Sequence, residues 1–349
     1  MNAKNNPYIY FDEDQKKYVM DHEQKTRDMV EKDYWKIVLR TIIKDWRLYV
    51  MLAPMLFIFI CWRYLPMYEL LGSFKTNLTG ALRTSDQHFV GFNNFKTIMF
   101  GTYKMAFWQA FRNTFFLSFY GLLFGFPMPI ILALFFNEIK SNSYRSILQV
   151  LTYLPKFIST VIITTLVWFL LSGQGIGIGS DSGIVATLLC KLGLISKETA
   201  SMGMMYDPQY FRSVYIVSGI WEGAGYGSIV YFAAVIAINP TSYEAAQIDG
   251  AGKMAQMRYV VLPAMLSTIV IMLIVRIGSL LSIGYEQVLL LRDVKTNVTA
   301  QVVSTFAIDI KETSENYATV PEMINNLTSM LLVIGANIIS RKATDTSLY

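Results

Sequence analysis

At 349 residues, with 53% hydrophobic side chains, only 16% charged ones and a mean hydropathy of +0.38, the chain is too apolar for an ordinary soluble domain, where about a quarter of residues are charged. Its 30 basic and 25 acidic residues leave a net charge of +5, but the Lys and Arg are scattered rather than gathered on one element, which argues against nucleic acid as a partner. Two cysteines without CxxC spacing, Cys61 and Cys190, and two histidines, His22 and His88, exclude a disulfide framework and a His or Cys metal cluster.

In chain order, residues 1–47 mix charges and lack the apolar run and small-residue cleavage site of a signal peptide. They read as a cytoplasmic tail, and the first span reads as an uncleaved signal anchor. A helix crossing the hydrocarbon core needs on the order of 20 apolar residues. Six stretches qualify: 48–66, 110–137, 147–172, 213–237, 263–290 and 321–340, the last interrupted by Asn325, Asn326 and Asn337. The expected fold is an all-α polytopic membrane protein of about six transmembrane helices. It divides into the tail, a first helix with an extracytoplasmic segment (48–109), a membrane core (110–342) containing a loop at 239–263, and a short C-terminal tail (343–349). More than half of the 30 Lys and Arg fall in 1–47, 138–146, 238–262 and 341–349, which places the amino terminus and the 239–263 loop in the cytoplasm.

The outer loops carry SGQGIGIGSDSG at 172–183, whose glycines could cradle an anion if they opened a helix after a strand. They follow an apolar helix instead, so a turn into a short surface helix at 184–194 is expected. The sequon Asn77-Leu78-Thr79 needs no explanation beyond chance.

Self-contained chemistry is missing. Gly252-Lys253 precedes Met254 rather than Ser or Thr, and Gln247 stands where a phosphate-binding loop needs its first glycine; HExxH and GxSxG are absent too. No catalytic or metal residue, and no cofactor bound by this chain, is expected.

Charges inside spans cost about 2.5–3.5 kcal/mol each on insertion scales and usually face a cavity or a partner. Lys156, Glu222 and Arg276 are such residues. Pairing of Arg276 with Glu222 would relieve both; a role on a solute pathway is the other reading, direct contact of Arg276 with an anionic sugar being one form of it. In the fourth span Gly219, Gly223 and Gly227 make a small-xxx-small stripe suited to close helix approach. Trp221, Glu222, Tyr226, Tyr231, Glu286 and Gln287, aromatic faces with hydrogen-bonding groups nearby, are the pathway candidates beside Arg276. Interfacial belts or packing are the alternative for the aromatics.

The most informative stretch is EAAQIDGAGKMAQMRYVVLP, residues 244–263. Asn239-Pro240 reads as N-cap and first helical residue. Glu244 then falls near the positive end of the helix dipole, and 241–248 makes two turns, about 12 Å long. Ala245 and Ala246 leave a smooth face, and Asp249-Gly250 ends the helix. A second short helix from Lys253 leads to Leu262-Pro263, where the fifth span begins.

EAAxxDGA followed ten residues later by Leu-Pro resembles the EAA loop of permease subunits of binding-protein-dependent ABC importers. RNTFFLSFYGLLFGFPMPIILALFFNEI (112–139), TYLPKFIS (152–159), WEGAGYGSIVYFAA (221–234) and RIGSLLSIGYEQVLLL (276–291) resemble the maltose-type carbohydrate permeases, nearest the subgroup that imports oligosaccharides released from polysaccharides. Met257, Ser267 and STFAIDI (304–310) depart from the usual pattern. The resemblance implies that Glu244, Ala245, Ala246, Asp249, Gly250, Leu262 and Pro263 couple the chain to an ATPase, with Glu244 in a charge-assisted contact. It also implies a second, homologous permease, two ATPase subunits that use ATP and Mg, an extracytoplasmic solute-binding protein, an oligosaccharide substrate and a bacterial cytoplasmic membrane. A non-sugar solute is the nearest alternative. An ion-coupled secondary transporter would need coupling residues and often an inverted repeat, and a membrane enzyme would need a titratable cluster.

Overall fold

The structure is a computed structural model that describes residues 9–12, 17–20, 34–36, 38–75, 88–172, 183–312 and 315–344. Asn77-Leu78-Thr79 and residues 173–182 of the glycine-rich run lie outside the described residues. The described chain is helical apart from an isolated bridge between Lys75 and Phe89 and an antiparallel hairpin. In the hairpin β1 (Ile9–Asp12) pairs with β2 (Lys17–Met20), Ile9 opposite Met20. The charge pattern of the tail does not announce this hairpin, but IYFD and KYVM carry the aromatic and β-branched residues that favour strands.

The chain forms two compact units, Met1–Glu69 and Leu70–Tyr349. In the first, α1 (Trp46–Phe59) runs into a π-helical turn at Ile60–Tyr64 and buries no side chain. A helix apolar on every side is shaped for lipid.

In the second unit, α2 (Lys104–Tyr120) and α3 (Pro127–Glu138) join through a π-helical turn at Gly121–Gly125 into one span, Lys104–Glu138. The irregular turn falls where two glycines and then Pro127 and Pro129 weaken the backbone ladder. The third span is broken, which corrects the continuous helix expected at 147–172. α4 (Asn142–Tyr153) and α5 (Thr160–Ser172) meet at 100°, because Pro155 has no N–H and Ile158 is extended at φ −84°, ψ 139°. α6 (Pro208–Ile236) is the fourth span, started by Asp207, whose carboxylate accepts from the Gln209 N–H at 2.9 Å. α7 (Pro240–Ile248) leaves it at 69°.

The fifth span differs from expectation at both ends. A single helical run extends from Lys253 to Gly278, through a π-helical turn at Met257–Val261 into α8 (Leu262–Gly278). The short helix expected from Lys253 is present as Lys253–Gln256 and runs on into the span, since Pro263 sits at the start of α8 and the wider turn before it absorbs the missing donor. The run stops at Gly278, short of residue 290, and α9 (Tyr285–Leu291) is separate. Where the chain leaves the helix, Asn325 donates its Nδ2 to the Leu281 carbonyl at 2.9 Å. That bond gives a structural use to an asparagine of the sixth span, which lies in α11 (Glu315–Thr344), after α10 (Val303–Lys311). The short surface helix expected at 184–194 is present as Ile184–Lys191.

Among the described residues four apolar clusters hold the unit: Leu117, Val167, Phe211, Val288 and Leu291; Ile98, Phe107, Phe306 and Val320; Ala133, Tyr231, Val235, Val261 and Met265; and the small group Ala186, Ile195 and Ala200. The segment from α9 to α10 folds back on the spans through buried polar groups. Asn113 donates to the Val298 and Gln301 carbonyls at 2.9 and 3.1 Å and accepts from Arg212 at 3.1 Å. Trp168 donates to the Leu290 carbonyl at 3.0 Å. Arg292 grips Asp309 through two hydrogen bonds of 2.9 and 2.7 Å, with Gln301 adding a third at 3.1 Å. Burial opposes the Asp309 charge, but the Arg292 and Gln301 hydrogen bonds and the guanidinium charge outweigh it and hold the carboxyl below its ordinary value.

α4 and α6 approach closely at Gly225, where a Cβ would lie 2.0 Å from the Thr152 carbonyl oxygen of α4. The Gly219, Gly223 and Gly227 stripe does not serve helix packing as expected: a Cβ at Gly219 or Gly223 would meet nothing within 4 Å, and Gly227 alone abuts Pro129, at 3.2 Å.

Thermal unfolding in detergent separates these glycines. Gly225→Ala should lower the midpoint measurably through overpacking of about 1–3 kcal/mol, whereas Gly219→Ala should match the parent. Asp309→Asn should be less stable at neutral pH. Because the folded carboxyl titrates below its unfolded value, the stabilisation is present above the ordinary carboxylate range and disappears as pH falls through the lowered folded pKa, so the gap should close in strong acid.

Candidate functional site

Tyr215, Gly219, Gly223, Gly227 and Tyr231 recur every fourth residue along α6, and all five line one cavity of about 580 Å³. The stripe is about 24 Å long at 1.5 Å per residue. Opposite it stand Gly121 and Gly125 of the π-helical turn, Pro129, Met272 and Arg276 of α8, and Gly284 and Gln287 at the start of α9. Lys156 enters from the break in the third span.

The charges in the cavity are arranged differently from the expected Glu222–Arg276 pair. Lys156 Nζ donates to Glu222 Oε1 at 2.9 Å, with the lysine half-exposed and the glutamate largely covered. Only a broken span could deliver that ammonium: the 3₁₀ turn at Leu154–Phe157 swings Lys156 toward α6. Arg276 faces the same cavity with no ion pair or hydrogen bond from its side chain to a described residue. A Cβ at Gly121 would lie 3.8 Å from its Nη2, in ordinary contact, which places the guanidinium beside the π-helical turn of the second span.

Of the pathway candidates, Glu222, Tyr231, Arg276 and Gln287 come together at the cavity, although Tyr231 is nearly sealed, edge-on to Phe126. Gln287 donates to Ser218 Oγ at 3.2 Å. Trp221, Tyr226 and Glu286 do not line it. Trp221 is two residues, about 200°, from the glycine stripe and is 46% exposed. Tyr226 packs edge-on to Phe157 at 6.0 Å, and Glu286 is exposed in the first turn of α9. Tyr215 was not among the candidates, though extending the glycine period by one step toward the amino terminus reaches it.

The second locus is the loop from Asn239 to Pro263. Asn239 caps α7, its Oδ1 accepting from the Thr241 N–H at 3.0 Å. Glu244 lies in the second turn and is exposed with Ala245, whereas Ala246 is half-buried. Asp249 ends the helix, and Gly250 takes φ +75°, its N–H donating to the Gln247 carbonyl at 3.0 Å. Leu262 and Pro263 open α8. Two contacts tie the loop to the last turn of α3: the side chains of Tyr243 and Asn137 share a hydrogen bond, and Lys253 forms an ion pair with Glu138. Ile248, Met254 and Tyr259 project into the open, Ile248 being 86% exposed. Among the described residues, no group of His, Cys, Asp and Glu is placed to hold a metal.

A bundle of apolar helices around a polar cavity, with a capped helix bent away from one cavity-lining span, defines a membrane permease whose moving force comes from elsewhere. The chain belongs to the family described as binding-protein-dependent transport system inner membrane component, which matches residues 125–292, the loop and all of the cavity lining but Gly121. It is 31% identical to Protein LplB of Bacillus subtilis over 90% of this chain and 94% of that protein. It is 30% identical to the polygalacturonan/rhamnogalacturonan transport system permease protein YteP of the same organism, over 91% and 95%. A crystal structure of a bacterial ABC transporter involved in the import of the acidic polysaccharide alginate contains a chain that matches with TM-score 0.75 and 36% identity, covering 88% of this chain and 99% of that one. The chain is thus the inner-membrane permease component of an ABC importer, whose ATPase is a separate subunit.

Exchange of the ion pair tests the charge arrangement. Glu222→Lys or Lys156→Glu alone should cut the yield of monodisperse protein in size-exclusion chromatography several-fold, and the double exchange should recover it. Arg276→Gln, which removes no partner of Glu222, should leave yield unchanged.

Proposed function

We propose that this chain is the route by which an oligosaccharide, handed over by an extracytoplasmic binding protein, crosses a bacterial cytoplasmic membrane. The amino terminus and the Asn239–Pro263 loop lie on the cytoplasmic side. A second, homologous permease completes the pathway, and two ATPase subunits bind and hydrolyse ATP with Mg. The relatives named for polygalacturonan, rhamnogalacturonan and alginate support a carbohydrate substrate, as does a cavity that offers Tyr215 and hydrogen-bonding groups to sugar rings.

The observation that carries this reading is that α6 does two things at once: it walls the cavity with one stripe and turns through 69° into α7. A force applied to α7 has a covalent path to the solute's surroundings. Glu244, exposed on α7, takes a charge-assisted contact from the ATPase; Ala245 and Ala246 permit close approach, and Ile248, Met254 and Tyr259 supply apolar area around it. Asp249 and Gly250 fix the bend, and Leu262 and Pro263 pass movement into the fifth span. Closure of the ATPase pair then shifts the spans between inward-open and outward-open states. The Lys253–Glu138 ion pair and the Tyr243–Asn137 hydrogen bond give the same force a second route, into the second span.

Tagged protein purified in mild detergent from its native host should bring down an ATPase and a second permease. Glu244→Ala should weaken ATPase recovery several-fold. Gly250→Pro should abolish it, because proline cannot adopt φ +75° and removes the N–H bonded to Gln247. In the reconstituted complex, Glu138→Lys should lower sugar uptake per ATP hydrolysed, with Glu138→Lys/Lys253→Glu restoring it. A wild-type chain that purifies alone and transports under an ion gradient would overturn the proposal.

A further inference from the structure

Three of the residues lining the cavity are charged: Lys156, Glu222 and Arg276. The first two neutralise each other at 2.9 Å, which leaves one guanidinium facing the space with no ion pair or hydrogen bond to a described residue. Arg276 lies in the last turn of α8, where the helix end favours a cation, yet among the described residues its guanidinium meets no counter-charge in the cavity. The one carboxylate in the same cavity is held by Lys156 instead, so Arg276 is not there to satisfy Glu222. Gly121 lies beside its Nη2, and Gly219 and Gly223 face open space in the same cavity. The lysine that engages Glu222 also stops the cavity's own anion from competing for the guanidinium or repelling an incoming one.

We propose that the cavity selects oligosaccharides bearing carboxylates, and that Arg276 is the residue that recognises the anion. The inference rests on the carbohydrate reading and adds a charge requirement to it. A guanidinium presents paired N–H donors in a plane that matches a carboxylate, as a uronic acid residue would supply it. Tyr215 offers an aromatic face and a hydroxyl along the same wall, and Gln287 a side-chain amide. Contact with a ring hydroxyl alone would not need a permanent cation, and a neutral amide would serve it at less cost.

The test uses the complete native complex with its binding protein in proteoliposomes. Uptake is measured for trigalacturonate, for the same trisaccharide with its carboxyls reduced to alcohols, and for a sugar phosphate. The binding protein's own affinity for each is measured separately, so that its preference can be divided out. Arg276→Gln should lower trigalacturonate uptake by about 10- to 100-fold, the loss of a hydrogen-bonded charge pair. Arg276→Lys should fall between, and uptake of the reduced sugar should be unchanged by either substitution. Co-purification of the ATPase should stay at the wild-type level, which separates recognition from assembly. If Arg276→Gln affects the acidic and reduced sugars alike, or neither, the charge requirement is wrong while the carbohydrate reading stands. If the sugar phosphate alone depends on Arg276, the carboxylate assignment is wrong. A wild-type complex that moves none of these compounds but transports a non-carbohydrate overturns the carbohydrate reading itself.

Discussion

A charge inside a membrane must be matched or kept wet, and the placement of Lys156, Glu222 and Arg276 obeys that constraint. All three come from different spans, yet they meet at one cavity. To bring Lys156 there the third span has to break, and the break has to be stabilised by a helix neighbour that can come very close. Gly225 against the Thr152 carbonyl provides that contact. The bend, the glycine and the ion pair are therefore parts of one solution, and the arginine left over gives the cavity its positive character.

Much of this was legible in the sequence, and what was missed has physical causes. Helical periodicity and apolar length located six membrane segments because lipid leaves the backbone few alternatives. The cap at Asn239, the stop at Gly250 and the order of the loop were readable because each depends on local chemistry. The loop's second helix and the start of the fifth span at Leu262-Pro263 were legible, since proline at the start of a helix costs it no bond it would otherwise make; their continuity through the π-helical turn at Met257–Val261 was not. Conversely, Pro155 was read as interior to a span that it in fact interrupts.

The glycines of α6 illustrate the limit of pattern reading. Gly219, Gly223 and Gly227 have the spacing of a packing motif, and nothing in that spacing reveals that two of them face open space. Gly225, outside the motif, makes the contact the motif promised. In the same way Glu222 had two basic partners within reach of a sequence argument. Pairing with Arg276 was the expected relief of two charges inside spans, but a turn of 3₁₀ helix handed the contact to Lys156. Choices of this kind are tertiary, set by which backbone arrives first at the cavity wall.

The uninterrupted helix from Lys253 to Gly278 has a mechanical consequence. Met265, fully buried among Ala133, Tyr231, Val235 and Val261, sits near its middle, about 18 Å from Lys253 and about 16 Å from Arg276 along the axis. Ile274, also buried, seats the far end, so Lys253 and Arg276 lie at opposite ends of one packed rod. The grip on an anion and the tilt of the distant handle would then be two readings of a single angle.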